Sequence, residues 1–293
     1  MRKNSSKSPK DRAVNNYQEL GWRHELWDVV RYFRSLGRGA KKQSDFLKEY
    51  LGEETALPIL VQGKGSKKFE IHGSVPLKRE TIDLFFKYLK DSEKQFLLQK
   101  SNLRSEDEAL SFCEKIGVAV GKTATKNQGH HQSSKSLVGA VTKISSEIAQ
   151  KFKVAIDVDP QHRCVWFQEK HLYVTARNLD GAIPCLVNPF LVWEIKEYWG
   201  KTLGGSKMSD AVYECLLVGR ELREYEEKHH SRIHHAVFID GKEQWETRES
   251  DFIRFIDLYN QEIIDELIVG KDIESKWEKI LREIIERSVS RKA

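Results

Sequence analysis

The chain predicts an α/β (α+β) protein in which a central mixed sheet is flanked by helices, preceded by a mainly helical amino-terminal region. Three observations carry this prediction. Apolar residues recur at helical spacing over residues 137–152. Runs of strand formers then appear at 164–167, 172–175, 191–196 and 236–239. A second helical stripe separates the last two runs, so the element order is helix, three strands, helix, strand.

From the amino terminus, residues 17–36 carry Leu20, Leu26, Trp27, Val30 and Phe33 near helical spacing, ended by Gly37-Arg38-Gly39. Residues 46–51 continue as helix. Pro58 to Val61 and Phe69 to His72 suit a small hairpin around Gly63-Lys64-Gly65. A helix over 78–98 brings Ile82, Phe85, Phe86 and Leu89 to one side, and another covers 106–116. Glycine, serine and glutamine between 117 and 136 mark a boundary. The expected division is therefore 1–120, a mainly helical region, and 121–293, the larger domain.

In the larger domain, Leu137, Val141, Ile144 and Ile148 form the first stripe. Leu191, Val192, Trp193 and Ile195 are strand formers, and period-2 alternation sets Val192, Glu194 and Lys196 on one face. Ser209 is placed to cap a helix with Val212, Leu216, Gly219 and Leu222 on one side, and Ala236 to Ile239 reads as a buried strand. Charged residues on an otherwise apolar strand require a compensating partner. With Asp180 on a neighbouring strand, two carboxylates could share a hard cation, which prefers oxygen ligands, and Lys196 would sit beside a bound water.

Asp180, in Asn178-Leu179-Asp180-Gly181, and the Glu194-Ile195-Lys196 triplet that follows resemble the signature of the PD-(D/E)xK nuclease superfamily, the fold of type II restriction endonucleases. The match spans roughly 137–240, with Leu179 where the superfamily's degenerate proline would stand. The resemblance implies a restriction-endonuclease-like core and a magnesium-dependent DNA endonuclease. Its catalytic residues would be Asp180, Glu194 and Lys196. Its metal ligands would be Asp180, Glu194, the Ile195 carbonyl and, from the preceding helix, Glu147, for which a surface pair with Lys143 or Lys151 is the alternative. Asp157 or Asp159 would replace Asp180 if it were not the ligand. The function implied is a homodimeric type II enzyme making sequence-specific double-strand cuts. A repair or antiphage nuclease without strict specificity, a catalytically inactive DNA-binding protein, and RNA as substrate are the alternatives.

Composition agrees with a globular enzyme, with 39% hydrophobic and 32% charged residues in 293. No run of eighteen apolar residues occurs and Met1 to Ser6 lacks a signal-peptide core, so the expected location is the cytoplasm, of a bacterium or archaeon. The four cysteines show no metal or disulfide spacing. Residues 1–48 hold twelve Lys and Arg against five Asp and Glu, whereas 243–287 hold seven against thirteen. The segment 115–146 has five lysines and no acid, making Lys126 and Lys135 candidate phosphate contacts. Lys201, Ser206 and Lys207, beside a helix start, are further candidates.

Gly117 to Thr123 is one residue short of a Walker A loop, and no glutamate lies between the paired histidines 229–230 and 234–235 as in zinc proteases. Apolar stripes at Phe252, Phe255, Ile256 and Tyr259, and at Trp277, Ile280, Leu281 and Ile284, are either core or dimer surface.

Overall fold

The computed structural model describes residues 16–36, 56–62, 69–121, 134–168, 170–200 and 205–290. Its contacts divide the chain into two units, Met1–Lys94 and Gln95–Ala293. The helix expected over 46–51 and the Gly63–Gly65 turn lie outside the described residues.

In the first unit, a short 3-10 turn (Tyr17–Leu20) and helix α1 (Leu26–Ser35) precede an antiparallel hairpin, β1 (Ala56–Gln62) with β2 (Phe69–Pro76). Helix α2 (Arg79–Asn102) follows. The apolar side of α1 buries Leu26, Trp27, Val30 and Phe33 against Ile82, Phe85 and Tyr88 of α2. Edge-to-face rings at Tyr17–Tyr88, Trp27–Tyr88 and Phe33–Phe85, with centroids 4.9, 5.4 and 5.5 Å apart, supply the favoured aromatic geometry. The hydroxyl of Tyr32 ties α1 to β1 by donating to the Pro58 carbonyl (2.8 Å) and accepting from the Leu60 amide (2.6 Å).

The second unit continues with α3 (Glu106–Lys115), α4 (Ser136–Phe152), β3 (Asp157–His162), β4 (Val165–Gln168), β5 (His171–Val174), β6 (Leu179–Ile183) and β7 (Leu191–Glu197). Then come α5 (Gly205–His229), β8 (His234–Asp240), α6 (Lys242–Thr247), α7 (Glu249–Asn260), β9 (Glu266–Val269), α8 (Asp272–Ser275) and α9 (Trp277–Ser290). A five-stranded mixed sheet runs in the order β3-β6-β7-β8-β9. β3, β6 and β7 form an antiparallel meander, while β8 and β9 add in parallel. Parallel addition needs a crossover, and the 25-residue α5 provides the one between β7 and β8.

Helices cover both faces. One face, with Ile183, Leu191, Trp193, Ala236, Phe238 and Ile268, packs on α4 and α9 through Leu137, Val141, Ile148, Trp277 and Leu281. The other, with Ala182 and Val192, packs on Val218, Leu222 and Tyr225 of α5. Burial of β7 and β8 on both sides explains their nearly continuous apolar character.

Several expectations need correction. The chain divides within α2 rather than at 120/121, because Phe112, Cys113, Ile116, Val118 and Val120 join the core of the second unit. The strands at 165–168 and 171–174 pair with each other as a separate two-stranded sheet, with one further bridge from Val165 to Val187. The sheet's outer strand is instead β3, which period counting misses because Asp159 and Gln161 adopt left-handed φ of 47° and 51° and break the register. Asp180 does lie on the strand next to β7, within β6. α5 begins at Gly205, and Ser209 lies within it, bonded to Asp251 and Arg248 instead of capping. Of the two uses open to the carboxy-terminal stripes, core is the one observed: Phe252, Phe255, Ile256, Trp277, Leu281 and Ile284 are buried, and Tyr259 and Ile280 partly so.

Gly181 lies under Trp193, and a Cβ there would stand 1.8 Å from the indole ring. Gly181→Ala is expected to lower the unfolding free energy by about 3 kcal/mol through overpacking. Gly121→Ala, with no atom of the described residues within 4 Å of its Cβ, is expected to be near neutral. Denaturant melts of the two variants check this, and equal losses would contradict the close approach.

Candidate active site

Gly181 pairs with Trp193 and Ala182 with Val192 across β6 and β7. Continued by one residue, this antiparallel register sets Asp180 across from Glu194, and the Ile195 amide of β7 reaches the Asp180 carboxylate at 2.7 Å. Alternation then fixes which side chains share the α5 face: Asp180 and Ala182 from β6, and Val192, Glu194 and Lys196 from β7. The parallel register of β8, with Val192 beside His235, brings His235 to the same face. α5 lies over this face and contributes Glu214 and Cys215. Three of the residues singled out by the sequence, Asp180, Glu194 and Lys196, are thus brought together.

The Glu194 carboxylate is 2% exposed, and its two oxygens are engaged separately. Oε2 lies 3.0 Å from Lys196 Nζ, and Oε1 lies 3.1 Å from His235 Nε2. Lys196 Nζ is also 3.0 Å from Glu214 Oε2, so one ammonium bridges a strand carboxylate and a helix carboxylate. The other Glu214 oxygen pairs with Arg177, whose side chain is half exposed.

Asp180 accepts from the Ile195 amide (Oδ2, 2.7 Å) and from Gln161 Nε2 (Oδ1, 2.7 Å). The same Gln161 nitrogen is 2.9 Å from Asp159 Oδ1, and Asp159 Oδ2 is 3.3 Å from Lys135 Nζ. The irregular backbone of β3 therefore aims Gln161 at the carboxylate on the next strand, a common use of bulges beside sites.

Burial raises the Asp180 carboxyl above its ordinary range, against the Ile195 amide and Lys196, which lower it. Burial also raises Glu194, but Lys196 and His235 outweigh it and hold the carboxyl well below the carboxylate range. Burial lowers Lys196, yet the Glu194 and Glu214 carboxylates keep its ammonium well above the ordinary value. At neutral pH the centre is therefore an ionised Glu194–Lys196 pair. The thiol of Cys215 is pushed far up, first by burial and then by Glu194, and is a neutral neighbour.

Among the described residues no group of three or more His, Cys, Asp and Glu side chains is arranged to hold a metal ion. Magnesium does not need one, since it is held by one or two carboxylates with water and substrate oxygens completing an octahedron. Opposed Asp180 and Glu194, hard oxygen donors on rigid neighbouring strands, fit that limited role.

The remaining expected residues fall elsewhere. Glu147 is exposed on α4 and pairs with Lys143 at 3.0 Å, so the surface alternative is the one observed. It misses the buried stripe because Ile148 and Ala149 occupy it. The Ile195 backbone enters the site through its amide, given to Asp180. Asp157 accepts from the Leu186 amide (2.8 Å), bracing the β6–β7 connection. Lys135 pairs with Asp159, and Ser206 and Lys207 are exposed at the start of α5. Lys126 and Lys201 lie outside the described residues.

Sequence reasoning missed Glu214, His235 and Gln161. Glu214 and Lys196 meet only through packing of α5 on the sheet. The parallel β7–β8 register is the signal that would have found His235, which the sequence offered only as half of a histidine pair.

The fold and site define a mixed α/β protein with a buried ionic centre on the helix-covered face of its sheet. The chain belongs to the DUF7687 family, a domain of unknown function, whose model matches residues 99–284. No curated protein matches it, and no solved structure does.

At the end of β7, Glu197 accepts from the Leu137 amide of α4's first turn (2.9 Å) and from the Trp199 indole (3.0 Å). Burial is the largest influence and pushes its carboxyl up to about 7. The folded protein therefore holds this proton more tightly than the unfolded chain, so stability falls as pH rises from the ordinary glutamate range through about 7. Glu197→Gln keeps an oxygen acceptor and removes the charge. The melting temperature of the variant is expected to gain on wild type by a few degrees between pH 5 and pH 8, and parallel curves would refute the assignment.

Proposed function

We propose that this protein is a magnesium-dependent deoxyribonuclease with a restriction-endonuclease-like core. The observation that carries the proposal is the placement of Asp180 opposite Glu194, with Lys196 next along the same face of β7. Support also comes from the order α4, β3, β6, β7, α5, β8, an antiparallel meander followed by a crossover helix and a parallel strand. That is the order implied by the resemblance of residues 137–240, once β3 and β6 replace the 165–174 hairpin as the first two strands.

A bound magnesium would supply an activated water and offset charge on the scissile phosphate. Asp180 and Glu194 would hold it, Gln161 and the Ile195 amide keeping Asp180 oriented. Lys196 enters as an ammonium rather than a free base, because two carboxylates flank it. Its chemical role is therefore to orient the attacking water and to neutralise charge developing on the phosphoryl oxygens. Water oxygen bonds to phosphorus as the ester P–O bond breaks, and the proton the water gives up is balanced by the one the leaving oxygen takes, so that the products are a phosphate monoester and an alcohol. Exposed Arg177, Ser206 and Lys207, and half-buried Lys135, are suited to flanking phosphates.

Action on both strands of a duplex would most simply use a two-fold homodimer, since each chain carries one such centre. With both carboxy-terminal stripes used in the core, the dimer surface would lie elsewhere.

Glu194→Ala and Lys196→Ala are each expected to reduce magnesium-dependent plasmid cleavage by on the order of 10³-fold or more with circular dichroism retained. Asp180→Asn is expected to do the same. Rates within tenfold of wild type for all three would sink the reading. Mapping the ends separates a sequence-specific restriction enzyme, giving discrete fragments, from a repair or defence nuclease, giving a smear.

DNA affinity of the Glu194→Ala variant is expected to fall log-linearly with salt, and Lys126→Ala with Lys135→Ala to flatten that slope by about one unit for each lysine that neutralises a phosphate. Filter binding across a salt series measures this, and an unchanged slope would remove these lysines from the interface.

A further inference from the structure

We propose that His235 is a positioning residue that locks the Glu194 carboxylate in the orientation a divalent cation requires. The proposal rests on the reading of Asp180 and Glu194 as cation ligands. The His235 ring is fully buried, and its Nε2 lies 3.1 Å from Glu194 Oε1. An ionised carboxylate only accepts, so Nε2–H is the donor. Nδ1 is buried without a hydrogen-bond partner among the described residues. The ring therefore spends its polar capacity on Glu194 alone. A leucine or phenylalanine would fill the same space without an orphaned buried nitrogen, which carries a desolvation cost. The cost is explained by the hydrogen bond to Glu194.

The position of His235 is itself fixed. Its amide donates to Asp265 Oδ2 (2.7 Å), and Asp265 is clamped by Arg223 (3.2 Å) and Arg232. With Oε1 tethered by His235 and Oε2 by Lys196, the carboxylate plane cannot rotate, while each oxygen keeps a lone pair for a cation. Groups of this kind, which hydrogen-bond a ligand without touching the metal, commonly change metal affinity by about 10–100-fold.

The test is Mn²⁺ binding to the full chain without DNA, followed by electron paramagnetic resonance of free Mn²⁺. His235→Leu is expected to weaken binding at least about 10-fold. His235→Gln, which can still present an N–H to Glu194, is expected to stay within about threefold of wild type, the rescue a packing role would not give. Wild-type affinity in His235→Leu, or equal weakening in both variants, overturns the proposal. Should His235→Leu fail to fold, His235→Asn, one methylene too short to reach Glu194, replaces it with the same criteria. Tight binding abolished by Asp180→Asn but untouched by His235→Leu defeats this inference alone. Failure of the wild type to bind Mn²⁺ defeats both it and the nuclease reading.

Discussion

The site depends on the close approach of Gly181 to Trp193. The indole lies where a Cβ of residue 181 would be, so β6 sits flush against β7 and the register cannot slip without driving a side chain into the ring. A one-residue slip would send Asp180 to the opposite face. Trp193 in turn belongs to the large apolar core formed with α4 and α9, so the placement of two carboxylates on one face is anchored by packing on the other.

The polar face obeys a different constraint. Glu194 and Lys196 lie within a layer that otherwise buries Ala182, Val192, Val218 and Leu222, where an unpaired charge would be strongly unfavourable. Each is satisfied by more than one partner: Lys196 by Glu194 and Glu214, and Glu194 by Lys196 and His235. Removing either partner of a buried pair leaves the other uncompensated, so the centre behaves as a connected unit rather than as separate bonds. Asp180 is bonded apart from this pair, to a backbone amide and to Gln161, and burial raises its carboxyl, so a nearby cation would favour its ionised form.

The surrounding elements are fixed by equally specific contacts. Glu197 holds the start of α4 to the end of β7. Asp240, fully buried at the end of β8, accepts from the Arg104 amide (2.9 Å) and from Arg104 Nε (2.7 Å), while Arg104 also reaches Glu274 at 2.9 Å. At the other end of β8, Asp265 and its arginines hold the amide of His235. Both ends of the strand that carries His235 are therefore tied by buried charge pairs, which suits a side chain that must meet a carboxylate on the next strand.

The sequence by itself determined the helices with strong 3.6-residue stripes, the buried strands at 191–196 and 236–239, each a little longer in the structure, and the shared face of Glu194 and Lys196, because these follow from local periodicity. It also singled out Asp180 before any register was known. Tertiary structure decided the rest. β3 was hidden by its left-handed residues and Pro160, and the 165–174 hairpin, though strand-like in composition, was excluded from the main sheet. Glu147 had the right spacing for the site, but a turn of α4 leaves it with Lys143 at the surface. Glu214, His235 and Gln161 join the centre from a crossover helix, a parallel strand and an irregular edge. Such contacts depend on how elements are laid against one another, and side-chain periodicity within one element holds no information about that.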